Sequence, residues 1–255
     1  NRGDHCHGGI DLGGGEQPIY PISPGEVVFS YREGRDYASV PTGLGNFLVL
    51  QHQGGIQSLY AHLAHGSMDP DRRSYDRSIA LGTVGSSGYS SGNHLHLTII
   101  DTEMGTIINP LLLLSPRADG QAPDIGEVYL QSGQEKISLE DGMSLNRTEG
   151  QLFATIYDLR EDVTFLWRLA PYKVFLSQDG REITSLTFDS LYSVGEEHNL
   201  VLMNTERDFA DVYESSWTLG LGRVNLVPGE TTLTVVAADF SGNESVKEYT
   251  LAVSE

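Results

Sequence analysis

The chain has 255 residues, 39% of them hydrophobic, which suits one large domain or two of moderate size and argues against wholesale disorder. Its formal net charge is −19, from 16 Lys and Arg against 35 Asp and Glu; this argues against nucleic acid, whose phosphates need clustered cations, and against anionic membrane surfaces. The single cysteine, Cys6, rules out an intrachain disulfide, and the longest apolar run, INPLLLL, is far short of the ~18–20 residues of a membrane span.

No signal peptide is visible. With six residues ahead of His7, the chain reads as a processed or trimmed product. The 29 glycines and 10 prolines predict many turns and a β-rich protein. Residues 1–115 hold short apolar runs punctuated by glycine. PIYPI, GEVVFSY, GNFLVLQH, IQSLYAHL, IALGTVGS and HLHLTIID read as strands, and the stretches 33–44 and 64–78 as polar loops. SPRADGQAPD, with two prolines, reads as a linker. The predicted layout is a domain over 1–116, a linker over 117–124 and a second domain over 125–255. In the second domain YKVFLSQDGREITSLTF predicts a hairpin around Asp179-Gly180, and TTLTVVAADFSGNESVKEYTLAV another with its turn at DFSGN. Such strands predict a sandwich of immunoglobulin type. NTERDFADVYESS (204–216) reads as a short helix or a long loop.

Three histidine-bearing stretches carry candidate chemistry. In HLHLTII, strand alternation puts His94 and His96 on one face, ~7 Å apart, and turns Leu95 and Leu97 toward a core. Two readings compete: a shared ion, or a pair of surface histidines. In His7-Gly8-Gly9-Ile10-Asp11, a straight strand would hold the ends ~13 Å apart. Ligands of one zinc need donor atoms within a few ångströms of one another, so the chain must bend, and Gly8 and Gly9 permit that at little steric cost. A plain glycine turn with an exposed His and Asp fits equally well. His62 ends the apolar strand LYAHL just before a polar loop, where either a structural or a functional histidine is at home. Of the rest, Cys6 reads as an inert thiol and His5 as exposed. His52 reads as a structural hydrogen-bonding residue and Tyr60 as core or rim. His65 and His198 carry no assignment.

Taken together, H-x-G-x-D at 7–11, Y-A-H-L at 60–63 and H-L-H at 94–96 resemble the signature of the lysostaphin-like, or LytM-type, zinc metallopeptidases. PIYPISPGEVVFS resembles that family's first β-hairpin, GLGNFLVLQHQGGIQSLYAHL its central strands, and LGTVGSSGYSSGNHLHLTI its glycine-rich approach to the last metal-ligand strand. The resemblance covers residues 1–114. It implies an all-β chain, with a compact antiparallel β-sheet peptidase domain of LytM type ahead of the immunoglobulin-like β-sandwich. It implies one Zn²⁺ per chain, bound by His7, Asp11 and His96, with His62 and His94 as the unligated catalytic pair. Three protein ligands leave zinc an open position for water, as hydrolysis requires. Asn93 stands where the family more often has proline or threonine, and the long loops 31–43 and 64–78 bear on substrate preference rather than on the metal.

The function implied is zinc-dependent endopeptidase cleavage of bacterial peptidoglycan, at stem-peptide cross-links, in the periplasm or outside the cell. The expected partners are peptidoglycan peptides, and a protein or the wall through residues 125–255. The alternatives are a catalytically silent or autoinhibited regulator of another wall hydrolase, and a zinc protease acting on proteins. The general base cannot be chosen between His62 and His94 from sequence.

Overall fold

The computed structural model describes residues 7–34, 42–115, 117–159, 168–194, 199–202, 205 and 207–254. They divide into two β units, one over His7–Leu114 and one from Ser115 onward. The readings of His5, Cys6 and His198, most of loop 33–44, Pro116 of the linker, and residues 204 and 206 lie outside the described residues.

The first unit contains β1 (Ile10–Gly13), β2 (Pro18–Ile19), β3 (Gly25–Tyr31), β4 (Asn46–Gln51), β5 (Ile56–Leu63), β6 (Ser74–Tyr75), β7 (Gly82–Thr83), β8 (His94–Asp101) and β9 (Thr106–Ile108). Its main sheet runs β9-β8-β5-β4-β3-β6, and the pairings are antiparallel. One edge of β8 is shared: β1 pairs with His94–Leu97 and β9 with Ile99–Asp101. Period-two alternation then sorts the side chains. Leu48, Leu50, Tyr60, Leu63, Leu95, Leu97 and Ile99 enter one buried cluster. On the opposite face Ala61 lies against Tyr31 and Phe47, and Phe29 stacks on Phe47 with 5.5 Å between ring centroids. The expected structural role of His52 is seen: its ring contacts the Pro24 carbonyl at 2.9 Å and the Ser58 hydroxyl at 2.6 Å. Tyr60 is a core residue whose hydroxyl accepts from the Ile22 amide.

Two expectations are corrected. PIYPISPGEVVFS is not a hairpin: β2 pairs with β7, while β3 pairs with β4 and β6. Prolines 18, 21 and 24 lack amide donors for a local ladder. Only Gly82–Thr83 of IALGTVGS is a regular strand. That segment divides its hydrogen bonds among Ile19, Gln17, Ala64 and His94, so no single partner makes a continuous ladder.

The second unit contains β10 (Asp124–Ser132), β11 (Glu135–Ser138), β12 (Ser144–Leu145), β13 (Glu149–Tyr157), β14 (Lys173–Gln178), β15 (Arg181–Thr187), β16 (Ser190–Val194), β17 (Asn199–Leu202), β18 (Arg207–Asp208), helix α1 (Phe209–Val212), β19 (Thr218–Asn225), β20 (Gly229–Ala238) and β21 (Glu244–Val253). Sheets β11-β10-β13-β19 and β12-β21-β20-β14-β15 contribute to one apolar core. Leu152, Ala154 and Ile156 enter it from the first, and Leu233, Val235 and Ala237 from the second. Strands β16, β17 and β18 pair antiparallel in sequence. The Asp179-Gly180 hairpin forms as predicted: Gln178 pairs with Arg181, and both turn residues have positive φ, the two-residue turn that matches strand twist.

Leu97 follows His96 directly on β8 and is 1% exposed. Leu97→Ala is expected to lower the unfolding free energy of the first unit by about 2–5 kcal/mol, read from the urea midpoint at constant m-value. Val28→Ala, at a position of the same unit that is 50% exposed, should change it by no more than about 0.5 kcal/mol.

Candidate metal centre

Asp11 on β1 lies directly opposite His96 on β8 in the antiparallel ladder. His7 is four residues earlier and is brought back by the Gly8-Gly9 bend. Gly8 has φ +63°, a conformation that disfavours side chains. Gly9 serves a different end: a Cβ there would lie 2.4 Å from the Leu97 carbonyl oxygen and 3.0 Å from His96 Nε2. The bend therefore packs onto the histidine strand only as glycine.

The His7 and His96 rings are each oriented by one of their two nitrogens. His7 Nδ1 lies 3.0 Å from the Gly9 carbonyl oxygen, which can only accept, so Nδ1 carries the hydrogen and Nε2 is bare. His96 Nε2 lies 3.0 Å from Thr98 Oγ1, which leaves Nδ1 turned toward the site. The three inward atoms converge. His7 Nε2 and His96 Nδ1 are each 3.0 Å from Asp11 Oδ1 and 3.2 Å from each other. Tetrahedral zinc with donors ~2.0–2.1 Å away separates them by ~3.3 Å. Lone pairs aimed at one another this closely repel unless a cation or protons lie among them. The donor set therefore fits zinc, with Gly9 and Thr98 as the outer partners that fix ring orientation. Burial pushes the Asp11 carboxyl up, but hydrogen bonds with His7 and His96 and the charge of His7 and His94 outweigh it, holding it well below the usual carboxylate range.

His62 and His94 join the same face by different routes. His94 follows the alternation of β8. Its Nδ1 donates to the Gly92 carbonyl at 2.9 Å. Its Nε2 is buried with no hydrogen-bond partner among the described residues and lies 3.6 Å from Asp11 Oδ2. Regular alternation from Tyr60 would send His62 into the core. Instead the β4–β5 register shifts between Leu48↔Tyr60 and Asn46↔Leu63, and His62 has φ +61°. This bulge returns Leu63 to the core and aims His62 at the site. The His62 ring centroid is 4.6 Å from that of His94 and 6.0 Å from that of His96. Its Nδ1 donates to the Ser87 carbonyl at 2.8 Å. Burial pushes its pKa down, as do His94 and His96, and the Ser87 carbonyl and Asp11 offset this only in part.

All five predicted site residues thus lie together. Sequence reading missed Thr98, Ser87 and Gly92. Thr98 had a signal, since it lies two residues beyond His96 on the same strand face; the two carbonyls had none. Another carboxylate group, Asp119, Asp158 and Asp239, lies in the second unit. The Leu159 amide and the Asn243 amide and side chain donate to it, and no metal assignment rests on it.

Asp11→Ala is expected to abolish stoichiometric zinc binding, measured by metal analysis after dialysis. Thr98→Val should keep the fold and weaken zinc by about 10–100-fold in competition with a chromophoric chelator.

Among characterised proteins, the DD-carboxypeptidase/endopeptidase Mpg of Neisseria meningitidis serogroup B is 34% identical over 92 residues, covering 35% of this chain and 19% of that protein. This chain thus matches about a fifth of that relative's length. The catalytic domain of the prophage-encoded M23 protein EnpA from Enterococcus faecalis is 24% identical, covering 37% of this chain and 67% of that one, with a TM-score of 0.30. The catalytic domain of lysostaphin from Staphylococcus simulans is also 24% identical, covering 38% of this chain and 68% of that one, with a TM-score of 0.29. The family profile that matches residues 5–110, nearly the whole first unit, is that of Peptidase family M23.

Proposed function

We propose that the chain is a zinc-dependent endopeptidase that hydrolyses peptide bonds in bacterial peptidoglycan, at stem-peptide cross-links, in the periplasm or outside the cell. The observation that carries this reading is the convergence of three metal-ligating atoms beside two more imidazoles whose Nε2 atoms are bare. The endopeptidase named among its relatives supports the substrate class.

His7, Asp11 and His96 would hold one zinc ion. Bound there, it supplies the Lewis acidity that lowers the pKa of water to ~7 and polarises a scissile carbonyl. The protein's own part is proton handling and orientation. With Nδ1–H committed to backbone carbonyls, His62 and His94 each present Nε2 to the same space. One takes the proton of the attacking water and passes it to the leaving amine. The other, when protonated, donates to the developing oxyanion. The same sheet face continues over Leu59, Val49 and Phe29, with Phe29 half exposed, and gives an extended peptide an apolar floor. With a net charge of −19, adhesion to an anionic wall falls to this groove and to residues 125–255, which we assign as an immunoglobulin-like accessory sandwich.

Purified protein is expected to release uncross-linked muropeptides from sacculi, identified by mass, and to lose this activity with a zinc chelator. His62→Ala and His94→Ala should each retain zinc and lose about 10²–10⁴-fold in rate. A zinc-loaded protein that cleaves no cross-link would overturn the enzyme reading in favour of a regulator of another hydrolase. Cleavage confined to protein substrates would move the reading to a general protease.

A further inference from the structure

We infer that Ser87 and Asn46 are positioning residues for His62, acting through the Ser87 carbonyl. The inference rests on the catalytic reading of His62 given above, and the hydrogen-bond network itself is independent of that reading. Ser87 is 5% exposed and Asn46 2%, so each must satisfy its polar atoms internally. The Ser87 hydroxyl donates to the Leu63 carbonyl at 2.7 Å and accepts from the Asn46 amide at 2.9 Å. Asn46 Nδ2 donates to the same Leu63 carbonyl at 3.0 Å and to His65 Nδ1 at 3.3 Å. Its Oδ1 accepts from the Glu33 amide at 2.7 Å.

These bonds join the two sides of the bulge that presents His62. Leu63 is its immediate neighbour, and Ser87 carries the carbonyl that takes the His62 Nδ1 hydrogen. The His62 amide is held separately by the Leu44 carbonyl at 3.0 Å. Glycines close the remaining gap. A Cβ on Gly45 would lie 2.3 Å from the Ser87 carbonyl carbon, and one on Gly88 2.3 Å from the Gly45 nitrogen, both at positive φ. Backbone thus meets backbone next to the carbonyl that selects the tautomer. Without the Ser87 hydroxyl, that carbonyl keeps its place in the chain but loses two of its anchors. The His62 ring then samples the tautomer whose Nε2 carries hydrogen and cannot act as a base.

Long-range ¹H–¹⁵N spectra of the histidine rings, recorded on the zinc-loaded full chain at mildly alkaline pH, test this without an activity assay. The wild-type His62 ring should be in the Nδ1–H form alone. Ser87→Ala should show mixed tautomers while keeping its zinc and staying folded at the assay temperature, with a thermal midpoint lowered by several degrees because the buried Asn46 amide loses its acceptor. On sacculi its kcat should fall by about 10–100-fold, with KM within about two-fold, and Ser87→Thr should restore both the spectrum and kcat. A single tautomer and full kcat in Ser87→Ala would overturn the inference. So would a loss of kcat that merely tracks lost zinc or lost folded protein. Should Ser87→Ala fail to fold, Ser87→Cys, similar in size and a weak donor, carries the same comparison. If wild-type protein cleaves no sacculi, the endopeptidase reading fails, and the ring spectra alone decide the positioning role.

Discussion

The first unit depends on the period of a single strand. Successive side chains of β8 face opposite ways, so Leu95, Leu97 and Ile99 anchor it in the core while His94, His96 and Thr98 face the site. Core burial fixes the strand's register, because a slip of one residue would exchange every imidazole for a leucine. The residues that stabilise the fold therefore also set the coordinates of the candidate metal-binding side chains. Asp11 inherits its place from the same register, directly across the ladder from His96.

Register places the rings and hydrogen bonds choose their faces. Four imidazoles share a small space, and each commits one nitrogen to a fixed acceptor: Gly9 O, Ser87 O, Gly92 O and Thr98 Oγ1. Three of the four acceptors are backbone carbonyls, which no side-chain substitution removes directly. The result is a cluster of bare nitrogens beside one ionised carboxylate, unfavourable by itself and suited to a cation. This divides the work clearly: apolar burial supplies the stability, and the polar network determines which nitrogen is available.

Much of this was legible in the sequence where a rule of period or turn chemistry applied. The boundaries of β5 and β8 match the runs IQSLYAHL and HLHLTIID. The Asp179-Gly180 hairpin follows from residues that tolerate positive φ. The five site residues were picked out by the resemblance of their three motifs to the LytM-type signature, since the type and spacing of each motif alone left a structural reading open. The pairing of β2 with β7 did not, because proline-rich segments find partners far along the chain. The orienting carbonyls could not be read either, since every residue has one and only the fold decides which is aimed at a ring.

The position of His62 shows why such irregularities persist. A non-glycine residue at φ +61° costs roughly 1–2 kcal/mol. A regular strand would avoid that cost, but would turn His62 toward Leu48 and Leu50 and expel Leu63, which is fully buried. Burying a leucine contributes roughly 1.5–3 kcal/mol, and enclosing an unpaired imidazole in apolar surroundings costs a further ~1–3 kcal/mol. The strained bulge is thus the lower-energy choice for the chain. Its residual strain is offset by the Leu44 and Ser87 carbonyls, which take the two hydrogens His62 offers. On these magnitudes the burial of Leu63 and the exclusion of an unpaired imidazole from the core bring His62 to the face that carries His94 and His96, and the Ser87 carbonyl selects its tautomer.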